Sequence, residues 1–145
     1  MKFTLELPIR KSRAEVWKAF DSVENTKKWQ PTLIKFENVS GTPGQPGAIS
    51  RLIFSEGKRE FFLTEKITLR AEPERFDGIY ENEFADNVVK NTFVATSENE
   101  TLWKIETEFK FKTIIMKIVG PLMKKNFVKR TEKDMRRFKK LAESL

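Results

Sequence analysis

The stretch "LMKKNFVKRTEKDMRRFKKL", Leu122–Leu141, decides how the rest of the chain is read. At about 100° per residue, Met123, Phe127, Met135, Phe138 and Leu141, with Ala142 just beyond, fall on one stripe. Lys125, Lys129, Lys133, Arg136, Arg137 and Lys140 gather on the opposite face. The spacing predicts a helix of about 22 residues, roughly 33 Å long. Just upstream, Ile115, Ile118, Val119 and Leu122 form another stripe, displaced by roughly two-fifths of a turn. The phase changes at Gly120-Pro121, where proline lacks an N–H, so a break or kink is expected there. A long helix with one apolar stripe needs a surface to cover, and the preceding residues supply it.

That surface is a sheet. In "TLWKIETEFKF", Trp103, Ile105, Thr107, Phe109 and Phe111 alternate with Lys104, Glu106, Glu108 and Lys110, which predicts a strand with one buried face. "REFFLTEKITL" puts Phe61, Leu63, Glu65, Ile67 and Leu69 in phase, and "RFDGIYENEF" does the same for Phe76, Gly78, Tyr80, Asn82 and Phe84. "VVKNTFVAT" adds Val89, Asn91, Phe93 and Ala95. Turn signals at Gly57-Lys58, Glu72-Pro73, Ala85–Asn87 and Ser97–Glu100 separate these runs, as in an antiparallel meander. The N-terminal "KFTLELPI" alternates too, and "SRAEVWKAF" follows with Ser12 and Glu15 spaced as a capping box. A further short helix around Val23–Trp29 stops before Pro31. The predicted order is therefore one strand, two short helices, six antiparallel strands and a long helix: an α+β fold in which seven curved strands wrap the helix. Aromatic residues recur on the inward faces with a few polar groups among them, which predicts an internal cavity.

"VSGTPGQPGAISRLIF", Val39–Phe54, resembles a phosphate loop only in its glycines. Pro43 and Pro46 have no N–H to offer an anion, no Gly-Lys-Ser/Thr follows, and a strand rather than a helix comes next. It reads as a stiff turn between two strands.

Composition narrows the chemistry. The 145 residues contain no cysteine and no histidine. Thiol nucleophiles, disulfide frameworks, serine–histidine triads and histidine-ligated zinc or haem are excluded, and neither a metal site nor a cofactor is expected. No signal-peptide pattern opens the chain and no apolar run reaches the ~20 residues of a membrane span, so a cytoplasmic protein is expected. The net charge of +7 is concentrated at the end: residues 124–145 hold nine basic and three acidic residues, against 19 and 18 in residues 1–123.

Element order, the glycine-rich turn entering the third strand, "LTEKITLRAEPERFDGIY" and the closing helix together resemble the START-like helix-grip (SRPBCC) superfamily, in particular its polyketide cyclase/dehydrase and lipid-transport branch. The resemblance spans essentially all of residues 1–145 and implies a single ligand-binding domain. It also implies that the turn carrying Pro43 and Pro46 lies near the cavity mouth. Binding or transport of a small hydrophobic or amphipathic molecule, such as a lipid, a polyketide-like or an aromatic compound, is the implied function. A cyclase or dehydratase is the alternative.

Several residues are candidates for that site. Tyr80 either orients a ligand or bonds another pocket group. Glu65, if enclosed, holds its proton more tightly and becomes an acid or base; otherwise it reaches solvent or pairs with Arg51. Arg51 is in phase with Ile49 and Ile53, although the other register turns it outward. Asn82 and Asn91 are amides in phase with apolar neighbours, and Trp29 either walls the entrance or is core. The apolar lining is expected from Phe61, Leu63, Phe93, Trp103, Phe109, Phe127 and Met135. The basic helix face is either a solvated exterior or a contact for anionic membrane. Nucleic acid is disfavoured, because the aromatics lie on the other side of that helix.

Overall fold

The computed structural model describes residues 1–145. Strand β1 (Lys2–Ile9) is followed by helices α1 (Arg13–Phe20) and α2 (Val23–Trp29). Six strands come next: β2 (Leu33–Ser40), β3 (Ile49–Glu56), β4 (Arg59–Ala71), β5 (Arg75–Glu81), β6 (Ala85–Ser97) and β7 (Glu100–Phe111). Helix α3 (Ile114–Val119), a 3-10 turn (Gly120–Met123) and helix α4 (Lys124–Ser144) complete the chain. The strands form one curved antiparallel sheet in the order β1-β7-β6-β5-β4-β3-β2, with α4 across its concave face. This is the α+β helix-grip architecture that the sequence predicts. The pairing of β1 with β7, Leu7 opposite Trp103, brings the two ends of the chain together.

Helices α1, α2 and α3 each start where the sequence provides a cap. Ser12 Oγ accepts from Glu15 N at 3.2 Å, Ser22 Oγ from Asn25 N at 3.2 Å and Thr113 Oγ1 from Met116 N at 3.1 Å. Helix α4 has no side-chain cap and grows out of the 3-10 turn instead. Gly120 allows that approach, because a Cβ there would stand 2.3 Å from the Phe111 ring.

The turn between β2 and β3 is the expected bend. Gly41, Gly44 and Gly47 adopt φ of 76°, 79° and 87°, in the left-handed region that favours glycine. A Cβ on Gly41 would also lie 2.8 Å from Ala48 Cα, so two constraints act at that position. The turn is tied down by Gly47 N, which donates to Ile67 O at 2.8 Å, and by Arg70. The Arg70 guanidinium donates twice to Asp21 at 2.7 Å, once to Gly44 O at 3.2 Å, and lies over the Trp17 ring at 5.3 Å.

The core fills one end of the grip. Ile9, Val16, Trp17, Phe93, Trp103 and Phe138 are almost fully buried there. Trp103 is the hub, with ring centroids 5.0 Å from Phe138, 5.8 Å from Trp29, 5.9 Å from Phe20 and 6.2 Å from Phe93. Toward the other end, the sheet and α4 diverge.

Two expectations differ from the structure here. The turn expected at Ala85–Asn87 lies at Asn82–Phe84, because Asn82 Oδ1 accepts from the N–H groups of Phe84 and Ala85 at 2.8 and 2.9 Å and ends β5 at Glu81. Asn82 and Phe84 therefore lie in the turn beyond β5 rather than on the strand, where both still border the cavity, and Phe84 is 48% exposed. In β4 an irregularity between Ile67 and Leu69 shifts Leu69 opposite Asp77, so the apolar alternation breaks at that point.

Candidate functional site

The divergence of sheet and helix leaves a cavity of about 1070 Å³. Its floor is the inward face of β3 to β7, its roof is α4, and α2 closes one side. Strand registry sets its chemistry. Ser50 on β3 lies opposite Glu65 on β4, Glu65 opposite Tyr80 on β5, Tyr80 opposite Asn87 on β6, and Asn87 opposite Phe109 on β7. Antiparallel neighbours share a face, so four polar side chains form one row across the floor, with Asn91 and Thr107 as further polar groups among its apolar residues.

The centre of the row is a coupled pair. Tyr80 Oη donates to Glu65 Oε2 at 2.8 Å. Gly78 lies beside the ring; a Cβ there would meet Tyr80 Cε2 at an ordinary contact distance of 3.5 Å and Lys66 O more tightly, at 3.3 Å. Glu65 is buried, and desolvation pushes its carboxyl above the usual carboxylate range, with the Tyr80 bond opposing in part. Burial, followed by the neighbouring carboxylate, pushes the Tyr80 phenol up well above its ordinary value. Glu65 is thus inclined to keep its proton. In that form it is a hydrogen-bond donor, and with Tyr80 beside it the pair can grip a carbonyl or hydroxyl oxygen.

Arg51 takes no part. Ser50 and Leu52 are the buried residues of β3, so the register turning Arg51 outward is the one adopted, and it faces Thr64 across the pair. Glu65 consequently finds Tyr80 rather than Arg51.

The other candidates separate into cavity and core. Trp29, Phe61, Leu63, Phe109, Phe127 and Met135 line the cavity, as do Trp103 and Asn91 at its inner end. The Asn91 amide is already satisfied: Nδ2 donates to Phe76 O at 3.2 Å, and Oδ1 accepts from Trp103 Nε1 at 3.0 Å. Asn82 also lines the cavity, but its Oδ1 is used by the turn. Phe93 stands behind the cavity, sealed in the core between Trp17 and Trp103. Trp29 is buried and its Nε1 has no acceptor. Pro43 and Gly44 reach the cavity wall.

Ser50 and Asn87 escape sequence reasoning. Ser50 has a signal, alternation with Leu52 and Phe54, but the competing register places Ile49, Arg51 and Ile53 together. Asn87 sits in what reads as a turn. In the structure it is held by Thr107, whose Oγ1 donates to Asn87 Oδ1.

At the opening, α4 contributes Lys129, Arg130, Lys133, Asp134 and Arg137 to the cavity rim. Arg130 faces Glu56 of β3 at 3.3 Å, and Arg137 donates to Asp134 at 2.8 Å. The carboxyl of Asp134 is pushed up to about 6, because partial burial outweighs its two arginine neighbours. A folded-state value above the unfolded one near 3.8 means that the folded chain binds the proton more tightly. Stability from this group is complete below about pH 4 and lost as pH rises through about 6. The Asp134→Asn variant should match the parent at pH 4 and exceed it by on the order of 1–2 kcal/mol at pH 8, in denaturant titrations at both values.

Lys125, Lys129, Lys133, Arg136, Arg137 and Lys140 are all exposed, but Lys129, Lys133 and Arg137 also border the cavity, so the basic face is not wholly the outer side of α4 that the spacing predicts. Arg136 and Arg137 are internally compensated by Glu132 and Asp134.

No family model matches the sequence, and no curated protein matches it. The fold matches solved structures throughout. A START superfamily protein from Mycobacterium smegmatis superposes with a TM-score of 0.81 at 14% identity, over 99% of this chain and 97% of that one. The Zhui aromatase/cyclase from Streptomyces sp. R1128 gives 0.78 at 10% identity, over 99% and 93%. Norcoclaurine synthase from Thalictrum flavum, in complex with dopamine and hydroxybenzaldehyde, gives 0.71 at 18% identity, over 97% and 85%.

Proposed function

We propose that this chain, which has the START-like helix-grip fold, takes up a small apolar or amphipathic molecule and holds it without transforming it. Residues 1–145 act together as one ligand-binding domain, in a reducing compartment such as the cytoplasm. The observation that carries the reading is a cavity of about 1070 Å³ whose floor bears many aromatic and aliphatic side chains around the row of Ser50, Glu65, Tyr80 and Asn87. The apolar body of the ligand is desolvated against Phe61, Leu63, Phe109, Phe127 and Met135, at ~25 cal/mol per Å² of apolar surface removed from water. Its polar end meets Tyr80 and Glu65. A neutral Glu65 donates to a ligand oxygen, whereas Asn82 and Asn91, already bonded to the protein, set the shape of the walls. The exposed α4 cations draw the domain toward anionic surfaces without anchoring it.

Organic extraction of the purified protein, followed by mass spectrometry, should release an apolar molecule in reproducible amount. Restored ligand should raise the melting temperature. Empty extracts, with no thermal shift across a library of lipids and aromatic compounds, would overturn this reading.

A second reading, an enzyme of the cyclase or dehydratase type, is favoured by the Tyr80–Glu65 pair itself. Burial raises the affinity of the Glu65 carboxyl for its proton, the direction a general acid needs, and the phenol beside it positions the group to be protonated. Turnover of a carbonyl substrate that disappears in Glu65→Gln while binding persists would decide for the enzyme.

A further inference from the structure

Residues 114–123 leave an apolar surface that the cavity does not use. Ile114, Ile115, Ile118 and Leu122 are 77, 72, 66 and 81% exposed, and α3 buries no residue. The inner side of the same segment is fixed to the domain. Met116 and Met123 line the cavity, and Gly120 packs on the Phe111 ring. The aliphatic side chains are therefore held outward by a segment whose other side is cavity wall.

The charges along the chain on either side of this surface have one sign. Between Glu108 and Glu132 there is no acidic residue, while Lys110, Lys112, Lys117, Lys124, Lys125, Lys129 and Arg130 all fall there. Lys117, Lys124 and Lys125 are exposed beside the aliphatic residues. Lys112 turns away, held by Asp86 at 2.7 Å.

We propose that Ile114–Met123 is a bilayer-contact element, which seats its isoleucines and Leu122 in the interface of an anionic membrane with the adjoining cavity wall facing the lipid. An aliphatic tip collared by lysines is complementary to acyl chains beneath acidic headgroups. It is poorly complementary to itself. A two-fold contact between copies would oppose two like-charged collars. The outer face of α4 supplies attraction only, whereas this segment supplies the apolar depth that retention requires. Membrane contact and ligand uptake are separate measurements, so failure of one does not imply failure of the other.

The test is flotation of the full chain with vesicles of phosphatidylcholine alone and of phosphatidylcholine mixed with phosphatidylglycerol. The parent should float with the mixed vesicles and dissociate in part at high salt. Ile115→Ser/Ile118→Ser/Leu122→Ser should weaken binding by more than about tenfold while leaving the thermal transition in place, since these side chains are exposed. Lys117→Gln/Lys124→Gln/Lys125→Gln should reduce the preference for anionic vesicles by more than about tenfold. Arg136→Gln/Lys140→Gln, on the outer face of α4, should weaken binding to the mixed vesicles less than the lysine variant does, because these charges stand farther from the inserted segment. The proposal falls if the parent floats with neither vesicle, if the serine variant floats as the parent does, or if sedimentation shows that the exposed residues mediate self-association in place of vesicle binding.

Discussion

A chain ending at Gly120 should fail to fold. Helix α4 brings Met135, Phe138 and Ala142 to the core, with exposures of 2, 0 and 3%. Phe138 alone touches three aromatic rings, with centroids 5.9 Å from Phe20, 5.4 Å from Trp29 and 5.0 Å from Trp103. Burying one large apolar side chain contributes roughly 1.5–3 kcal/mol, and a domain of this size is stable by only about 5–15 kcal/mol. Losing the helix also returns the facing side of Trp103, Trp29 and Leu7 to water. The truncated chain should show no cooperative thermal transition and no near-ultraviolet circular dichroism. A sharp transition near that of the parent would mean that the sheet carries its own core and that α4 is an accessory.

The largest effect of a single substitution is expected at Trp103. Trp103→Ala removes the side chain around which Phe20, Trp29, Phe93 and Phe138 pack, and should destabilise by about 3–5 kcal/mol. Part of that loss is polar. Trp103 Nε1 is a partner of the buried Asn91 amide, so Trp103→Phe, which keeps an aromatic ring, should still cost about 1–3 kcal/mol by orphaning Asn91 Oδ1. Denaturant titration of both variants separates the two contributions. Adding Asn91→Leu to Trp103→Phe should recover part of the loss, because both ends of the broken bond are then apolar. Equal destabilisation by the Phe and Ala variants would show that the hydrogen bond outweighs the packing around the ring.

Much of the fold is legible because local rules and tertiary structure agree. The strand alternation of β7, the serine before α1 and the stripe of α4 each follow from periodicity or capping, and each appears where expected. The break at Gly120-Pro121 appears as the 3-10 turn between α3 and α4. Where two registers were open, as for Arg51, alternation alone was silent: Ile49 and Ile53 are as apolar as Leu52 and Phe54, and only the pairing of β3 with β4 chose between them. The end of β5 was missed because Asn82 is in phase with Tyr80, and the turn it caps depends on its own side chain bonding to Phe84 and Ala85.

By itself, the sequence determined the α+β class, the order of the elements, which face of α4 is apolar, and the absence of thiol and imidazole chemistry. Those properties depend on residues near one another along the chain, or on residue types that are missing altogether. Only the tertiary structure decided the site. Glu65 and Tyr80 are 15 residues apart and meet because β4 and β5 pair in one register, Ser50 and Asn87 join them through two further pairings, and Phe93 is withdrawn into the core by its neighbours on α1 and β7. Likewise the stripe of Ile115, Ile118 and Leu122 has the spacing of a buried face, yet it lies in solvent, because the segment packs through Met116 of α3 and Gly120 of the 3-10 turn instead. A periodic pattern records that one side of a helix is apolar, and whether that side is covered depends on what the rest of the chain places against it.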